Sequence, residues 1–184
     1  KIMWKEIISV FKKDNLYQQA FDEACEMLET DGKMYVASVE SLRKSDTAEM
    51  ELDIYGLDKE VNRSERDVRK KVMKHLMLSS DTQLNSGLAL VSVVIDIERI
   101  GDYTKNIYDL ARSHPKRLQA GSLEDKLQEV EAHIAQIFAS ATRAFKEGDE
   151  DIARQVMEEY KEEISTDCDD MADDIITGKV SDLE

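Results

Sequence analysis

Proline occurs once and glycine seven times in 184 residues, too few turn-formers for an all-β fold. Cysteine occurs twice, as Cys25 and Cys168, with no CxxC spacing; this excludes a disulfide scaffold and points to a reducing compartment and two simple buried thiols. No long hydrophobic run is present. The longest stretch free of charged or strongly polar residues, about residues 88–95, is interrupted by Ser92 and falls far short of the roughly 20 residues that span a bilayer. The N-terminus carries an amphipathic run in place of an apolar leader with a small-residue cleavage site, so secretion is not supported. Cations are in deficit, with 25 Lys and Arg against 40 Asp and Glu, a formal charge of −15 and a pI near 4.7. A phosphate-tracking nucleic-acid surface needs the opposite. The expectation is a cytoplasmic protein, peripheral to a membrane at most, with no nucleic-acid partner.

What remains is 35% charged and 41% hydrophobic residues, the composition of long amphipathic helices. An all-α fold is expected, with a short leading helix at residues 2–11 packing Trp4, Ile7, Ile8 and Phe11, and a first long helix from Asn15 to Leu42. Asp46 with Glu49 forms a capping box for a second helix ending near Leu78, and Ser80 with Gln83 repeats it for a third ending at Ala111 or Arg112. Pro115 and Gly121 bracket a linker. Ser122 caps a fourth helix to Phe145, and Gly148-Asp149 separates it from a fifth ending near Gly178.

At an offset of 103, Met34-Tyr35 faces Ile137-Phe138, Leu42 faces Phe145, Asp46 faces Asp149, Val61 faces Ile164 and Asp67 faces Asp170. Helices one and two thus read as duplicated in helices four and five. The expected division is a three-helix bundle with its short leading helix over 1–114, a linker at 115–121, and an incomplete second repeat of two helices over 122–184. A second bundle lacking its third helix leaves an apolar stripe uncovered, which a longer chain or a second protomer would complete. A homo-oligomer, a dimer in the simplest case, is expected.

Helix three carries an anomaly. Leu84, Leu88, Val91 and Ile95 share one face, read here as the core face, and the same face continues as Glu98, Asp102 and Asn106. On helix two the core face is Ile54, Val61, Val68 and Val72, with Asp58 and Glu65 near its centre and Asn62 at its edge. Carboxylates converging there need a counter-charge. Two sources stay open on spacing alone. Arg63, Arg66, Arg69, Arg99 and Lys105 can pair them as ordinary surface charges, or a cation bound by oxygen ligands can neutralise them, which favours iron, manganese, magnesium or calcium. His75, His114 and His133 complete no ExxH pair, so a di-iron oxidase is disfavoured. The run Arg63 to His75 reads as a solvated basic face, the eight Met residues as core filler, and the aspartates from Asp167 to Asp174 as a solvated acidic one.

The string Asp96-Ile97-Glu98-Arg99-Ile100-Gly101-Asp102-Tyr103-Thr104-Lys105-Asn106-Ile107, with Asp58-Lys59-Glu60-Val61-Asn62-Arg63 before it, resembles the PhoU-like phosphate transport regulators. Met3-Trp4-Lys5-Glu6 and Lys13-Asp14-Asn15 are similar to that family too, and the likeness covers most of residues 1–112 and, more loosely, 122–178. The resemblance implies tandem three-helix bundles and E(D)xxxD motifs that hold iron or zinc clusters. Carried over by position, Glu98 and Asp102 are its best-matched metal ligands, Asp58 and Asn62 a second pair, with Glu65 and Asn106 beside them. In the second repeat Asp58, Asn62 and Glu65 become Lys161, Ser165 and Cys168, so no second equivalent cluster is expected. The resemblance further implies a non-enzymatic adaptor in phosphate uptake and phosphate-responsive signalling, a negative regulator whose partners are a phosphate ABC transporter and a sensor histidine kinase. A soluble tail or subunit of a sodium/phosphate cotransporter, a purely structural bundle without metal, and a carboxylate metalloenzyme are the alternatives.

Overall fold

The computed structural model describes residues 2–47, 50–78, 84–114 and 116–180, with side chains from Leu16 onward. Every regular element among them is helical, in the order α1 (Ile2–Lys44), α2 (Ile54–Leu78), α3 (Leu84–Ser113), α4 (Glu124–Glu147), α5 (Glu150–Glu159) and α6 (Ser165–Ile176). None is long and apolar enough to cross a membrane.

The expected separate helix at 2–11 does not exist: α1 runs unbroken for 43 residues. Neither glycine nor proline occurs between Ile2 and Asp31, so nothing stops the helix at Asp14-Asn15. The packing proposed for Trp4, Ile7, Ile8 and Phe11 lies outside the described side chains. Helix α2 starts eight residues after Asp46, and its cap is Asp53, whose Oδ1 accepts the Gly56 N–H at 3.0 Å. Asp46 Oδ1 instead accepts the Arg117 N–H at 3.3 Å. Glu49, the Ser80–Gln83 box and Pro115 lie outside the described residues. Ser122 is not the cap of the fourth helix either, since residues 121–123 form a 3-10 turn. The Glu124 carboxylate accepts the Ala120 N–H at 2.9 Å across that turn, and this bond, the Gln128 amide and Arg43 hold its carboxyl below the usual range.

Gly148 and Asp149 act as read. Gly148 takes φ +67°, the left-handed conformation that closes α4, and Asp149 Oδ1 accepts the N–H groups of Asp151 and Ile152, both at 3.0 Å. The fifth expected helix is one helical run of three parts, α5, a π turn at Tyr160–Ile164, and α6. Ile164, which ends the π turn, and Met171 of α6 are buried.

The chain forms two compact units, residues 1–35 with 51–107, and residues 36–50 with 108–184. The boundaries of these units fall within α1 and α3. In the first unit the core is Ala20, Ala24, Met27, Leu28 and Met34 of α1, Ile54, Val61, Val68 and Val72 of α2, and Leu90, Val94 and Ile97 of α3. Tyr17 stacks on the buried His75 ring at 5.5 Å, so His75 belongs to the core and not to the solvated basic face, while Lys71 pairs with Glu23 across α2 and α1. The second unit buries Leu42, Ala111, Ala120, Val130, Ala144, Ile164 and Met171. The segment read as a linker is fastened within it. Leu118 N–H donates to Leu42 C=O at 2.8 Å, and Arg43, its side chain 6% exposed, donates to Leu118 C=O and pairs with Glu124 and Glu131. Cys168 is exposed, against the expectation of two buried thiols, and Met73, Met77 and Met157 are exposed as well, so methionine is only partly core filler.

Candidate metal centre

The core face of α3 is not the one its apolar stripe suggested. Leu84, Leu88 and Ile95 are exposed, and Leu90, Val94, Ile97, Gly101 and Thr104 face inward. Both rows advance by alternating steps of three and four residues, about 100° apart around the helix, so period alone does not choose between them. Small residues mark the buried row. A Cβ on Gly101 would lie 2.8 Å from Asp31 Oδ1 and 3.4 Å from Val61 Cγ1, so glycine here lets α3 approach both α1 and α2. An interior glycine costs a helix roughly 1 kcal/mol relative to alanine, and the close approach explains its presence.

That approach is directed at Asp31, a residue absent from the sequence-based candidates. Asp31 is fully buried, and neither carboxylate oxygen has a hydrogen-bond partner. Burial, followed by the charges of Glu98 and Asp58, pushes its carboxyl up to about 8. The α1 seam that includes Ala20, Ala24, Met27, Asp31, Met34 and Ser38 places a carboxylate where a core side chain belongs. A charge interrupting a steady three-four stripe on α1 was the available signal.

The other carboxylates gather around it from α2 and α3. Glu98 is also pushed up, by partial burial first and then by the charges of Asp102, Glu65 and Asp58, with Lys105 pulling the other way. Asp58 and Glu65 have side chains only 13% and 12% exposed, although Glu65 is also held by Arg69 at 2.8 Å. Lys105 Nζ donates to Asp102 Oδ1 at 2.6 Å and to Asp58 Oδ1 at 2.8 Å, joining α3 to α2. These hydrogen bonds hold its ammonium well above the ordinary lysine range. Asn62 turns its amide onto its own helix, donating to Asp58 C=O at 2.9 Å, and Asn106 is on the exposed surface of α3. Of the six expected site residues, then, Asp58 and Glu98 act on Asp31 through their charges, and Asp102 and Glu65 act in turn on Glu98. Asn62 lies beside them, and Asn106 on the outer surface.

Among the described residues, no three side chains of His, Cys, Asp or Glu form a ready-made metal-holding group. A lysine stands where two of the carboxylates meet. The donor set itself fits a hard cation, since all five converging groups are carboxylates and the innermost has two buried oxygens without a donor. Of the other cations considered as partners, Arg69 pairs with Glu65 while Arg99 turns away to Asp96 at 3.2 Å. In the second unit, Lys126 approaches Asp167 at 3.4 Å and Asp170 at 3.8 Å, and Lys179 pairs with Asp174; these aspartates are ordinary helix-surface charges.

Comparison with known proteins adds one finding. No curated protein and no solved structure matches the chain significantly. The PhoU domain family matches residues 24–111, which run from the middle of α1 through α2 to the end of α3 and include every residue of the carboxylate cluster. Over residues 24–111 the chain is thus similar to the PhoU domain family.

Proposed function

We propose that this protein is a non-enzymatic, cation-binding regulator of phosphate uptake and phosphate-responsive signalling, acting in the cytoplasm as an adaptor on a phosphate ABC transporter and a sensor histidine kinase, as a homo-oligomer. The PhoU domain supports the phosphate-regulatory role. The observation that carries the cation is Asp31, a buried carboxylate with no donor, lying among Glu98, Asp58, Glu65 and Asp102. Leaving such a group charged and unpartnered costs several kcal/mol, and a bound divalent cation removes the cost. In this reading Asp31, Asp58, Glu98 and Asp102 hold iron, zinc or another divalent ion, and Glu65 and Asn62 lie around them.

Asp31 of α1, Asp58 of α2, and Glu98 and Asp102 of α3 would hold such an ion, which would supply the positive charge that their carboxylates lack. The chain's own part is to pre-position those groups: α1 delivers Asp31 from the core side, Gly101 gives it room, and α2 and α3 bring the remaining carboxylates from the surface side. The arrangement suits signalling through shape and charge.

The test is complementation. A host strain lacking the gene is expected to take up phosphate in replete medium, and the wild-type gene to restore repression. The Glu98→Ala, Asp102→Ala double variant is expected not to restore it and to carry less metal when purified without chelator. Uptake that stays unchanged on deletion, or equal metal in both proteins, rules against this function.

A further inference from the structure

Lys105 stands inside the carboxylate cluster. Its ammonium nitrogen is 2.6 Å from Asp102 Oδ1 and 2.8 Å from Asp58 Oδ1, and its side chain is 23% exposed. Its positive charge is shared by Asp58 of α2 and Asp102 of α3, and it acts on Glu98 as well. An ammonium is a compact point charge on a flexible stem, able to withdraw into solvent by rotating its four-carbon chain. A hard divalent cation takes oxygen ligands at roughly 2.0–2.6 Å, and an ammonium held on the same two carboxylates repels it. The lysine and the cation therefore compete for Asp58 and Asp102, while Asp31 and Glu98, which make no hydrogen bond to the lysine, stay under-compensated on the inner side.

We infer that Lys105 is a tethered cation that occupies the outer half of the site in the metal-free protein and swings out when a divalent ion binds, so that this residue sets how tightly the site holds metal. The inference rests on the cation-binding reading above. It explains why the carboxylates converge without forming a ready-made metal group: two of them are bent onto the lysine. It also gives the site a built-in threshold, because metal has to displace an intramolecular partner before it engages Asp58 and Asp102.

The experiment titrates chelator-stripped protein with Mn²⁺, reading free Mn²⁺ by electron paramagnetic resonance. Lys105→Met keeps the length and removes the charge, and it is expected to bind Mn²⁺ at least about tenfold more tightly than wild type, or to take up more of it, as expected for removal of a like charge beside the ion. Lys105→Arg keeps the charge and is expected to stay within about threefold of wild type. A second readout uses wild type alone: reductive methylation of Lys105, followed by mass spectrometry, is expected to speed up severalfold when Mn²⁺ is added, because the freed amine loses its two hydrogen bonds. Mn²⁺ affinity that is unchanged or lower in Lys105→Met, or labelling of Lys105 that does not rise with Mn²⁺, overturns the lysine's role. Wild type that takes up no Mn²⁺ overturns the cation reading itself and the lysine's role with it.

Discussion

Stripped of metal, the protein is expected to lose stability steadily as pH rises from about 4 to about 8, and Asp31→Asn is expected to remove most of that loss. The unfolded chain ionises this carboxyl near the ordinary aspartate value of 3.8, whereas the folded protein holds its proton up to about 8. Between those values the folded state binds one proton more than the unfolded state, so stability declines with rising pH and levels off above the folded value. The decline runs at about 1.4 kcal/mol for each pH step of one inside that window, on the order of 5 kcal/mol from end to end. Glu98 is shifted in the same direction and adds to the slope in both proteins. Asparagine keeps the shape and cannot ionise; its own unpartnered amide costs roughly 1–3 kcal/mol at every pH, so the two curves cross. Urea melts of wild type and variant at pH 5 and pH 8.5 in chelator measure this. Parallel curves would show that Asp31 is not the group responsible.

Gly101→Ala is expected to destabilise the wild-type background and to stabilise an Asp31→Ala background. In wild type the new methyl meets Asp31 Oδ1 at 2.8 Å and Val61 Cγ1 at 3.4 Å, and Asp31 is fully buried. Overpacking of this kind costs roughly 1–3 kcal/mol and outweighs the roughly 1 kcal/mol of helix propensity that alanine brings. With Asp31 truncated the obstruction is gone and the propensity gain remains, so the sign reverses. A double-mutant cycle by denaturant unfolding reads the coupling directly. Additive effects, with no change of sign, would mean that glycine is present for another reason.

The helices themselves were legible from scarcity. With one proline and seven glycines there is little to stop a helix, and Gly148-Asp149, a left-handed cap followed by an N-cap, was read correctly because each residue acts locally. The same scarcity hid the unbroken α1, since a plausible break at Asp14-Asn15 has no physical breaker behind it. Caps chosen by spacing failed where a nearer residue did the work, as Asp53 does for α2 and the 3-10 turn does before α4.

The site was half legible. On α2 the row Ile54, Val61, Val68 and Val72 is buried as its spacing predicts, with Asp58 and Glu65 near the centre of the same face. On α3 two apolar rows of equal period compete, and the more hydrophobic one, Leu84 to Ile95, turned out to be exposed. Hydrophobicity misled because close helix approach selects small residues: Gly87 and Gly101 sit in the buried row, and a Cβ on Gly87 would press within 2.9 Å of Leu76. Glu98 and Asp102 nevertheless reach the cluster from the flank of that row. Asp31 is not legible in the apolar pattern, because it is the charge that interrupts the α1 stripe, and only packing leaves that charge without a partner. Lys105 was counted among several available cations, and its selection over Arg99 depends on which side of α3 each occupies.

The central claim is that the carboxylates of the first unit are built to take a cation. Its most direct measurement is the melting temperature of chelator-stripped protein at pH 8.5, where Asp31 is most costly, with and without Mn²⁺. Saturation at about a hundred times the dissociation constant contributes about 2.7 kcal/mol, which for a chain of this size raises the melting temperature by roughly 5–10 °C. The rise is expected in wild type and absent from a variant carrying Asp31→Asn, Glu98→Ala and Asp102→Ala. No rise in wild type, or the same rise in the variant, would contradict the account.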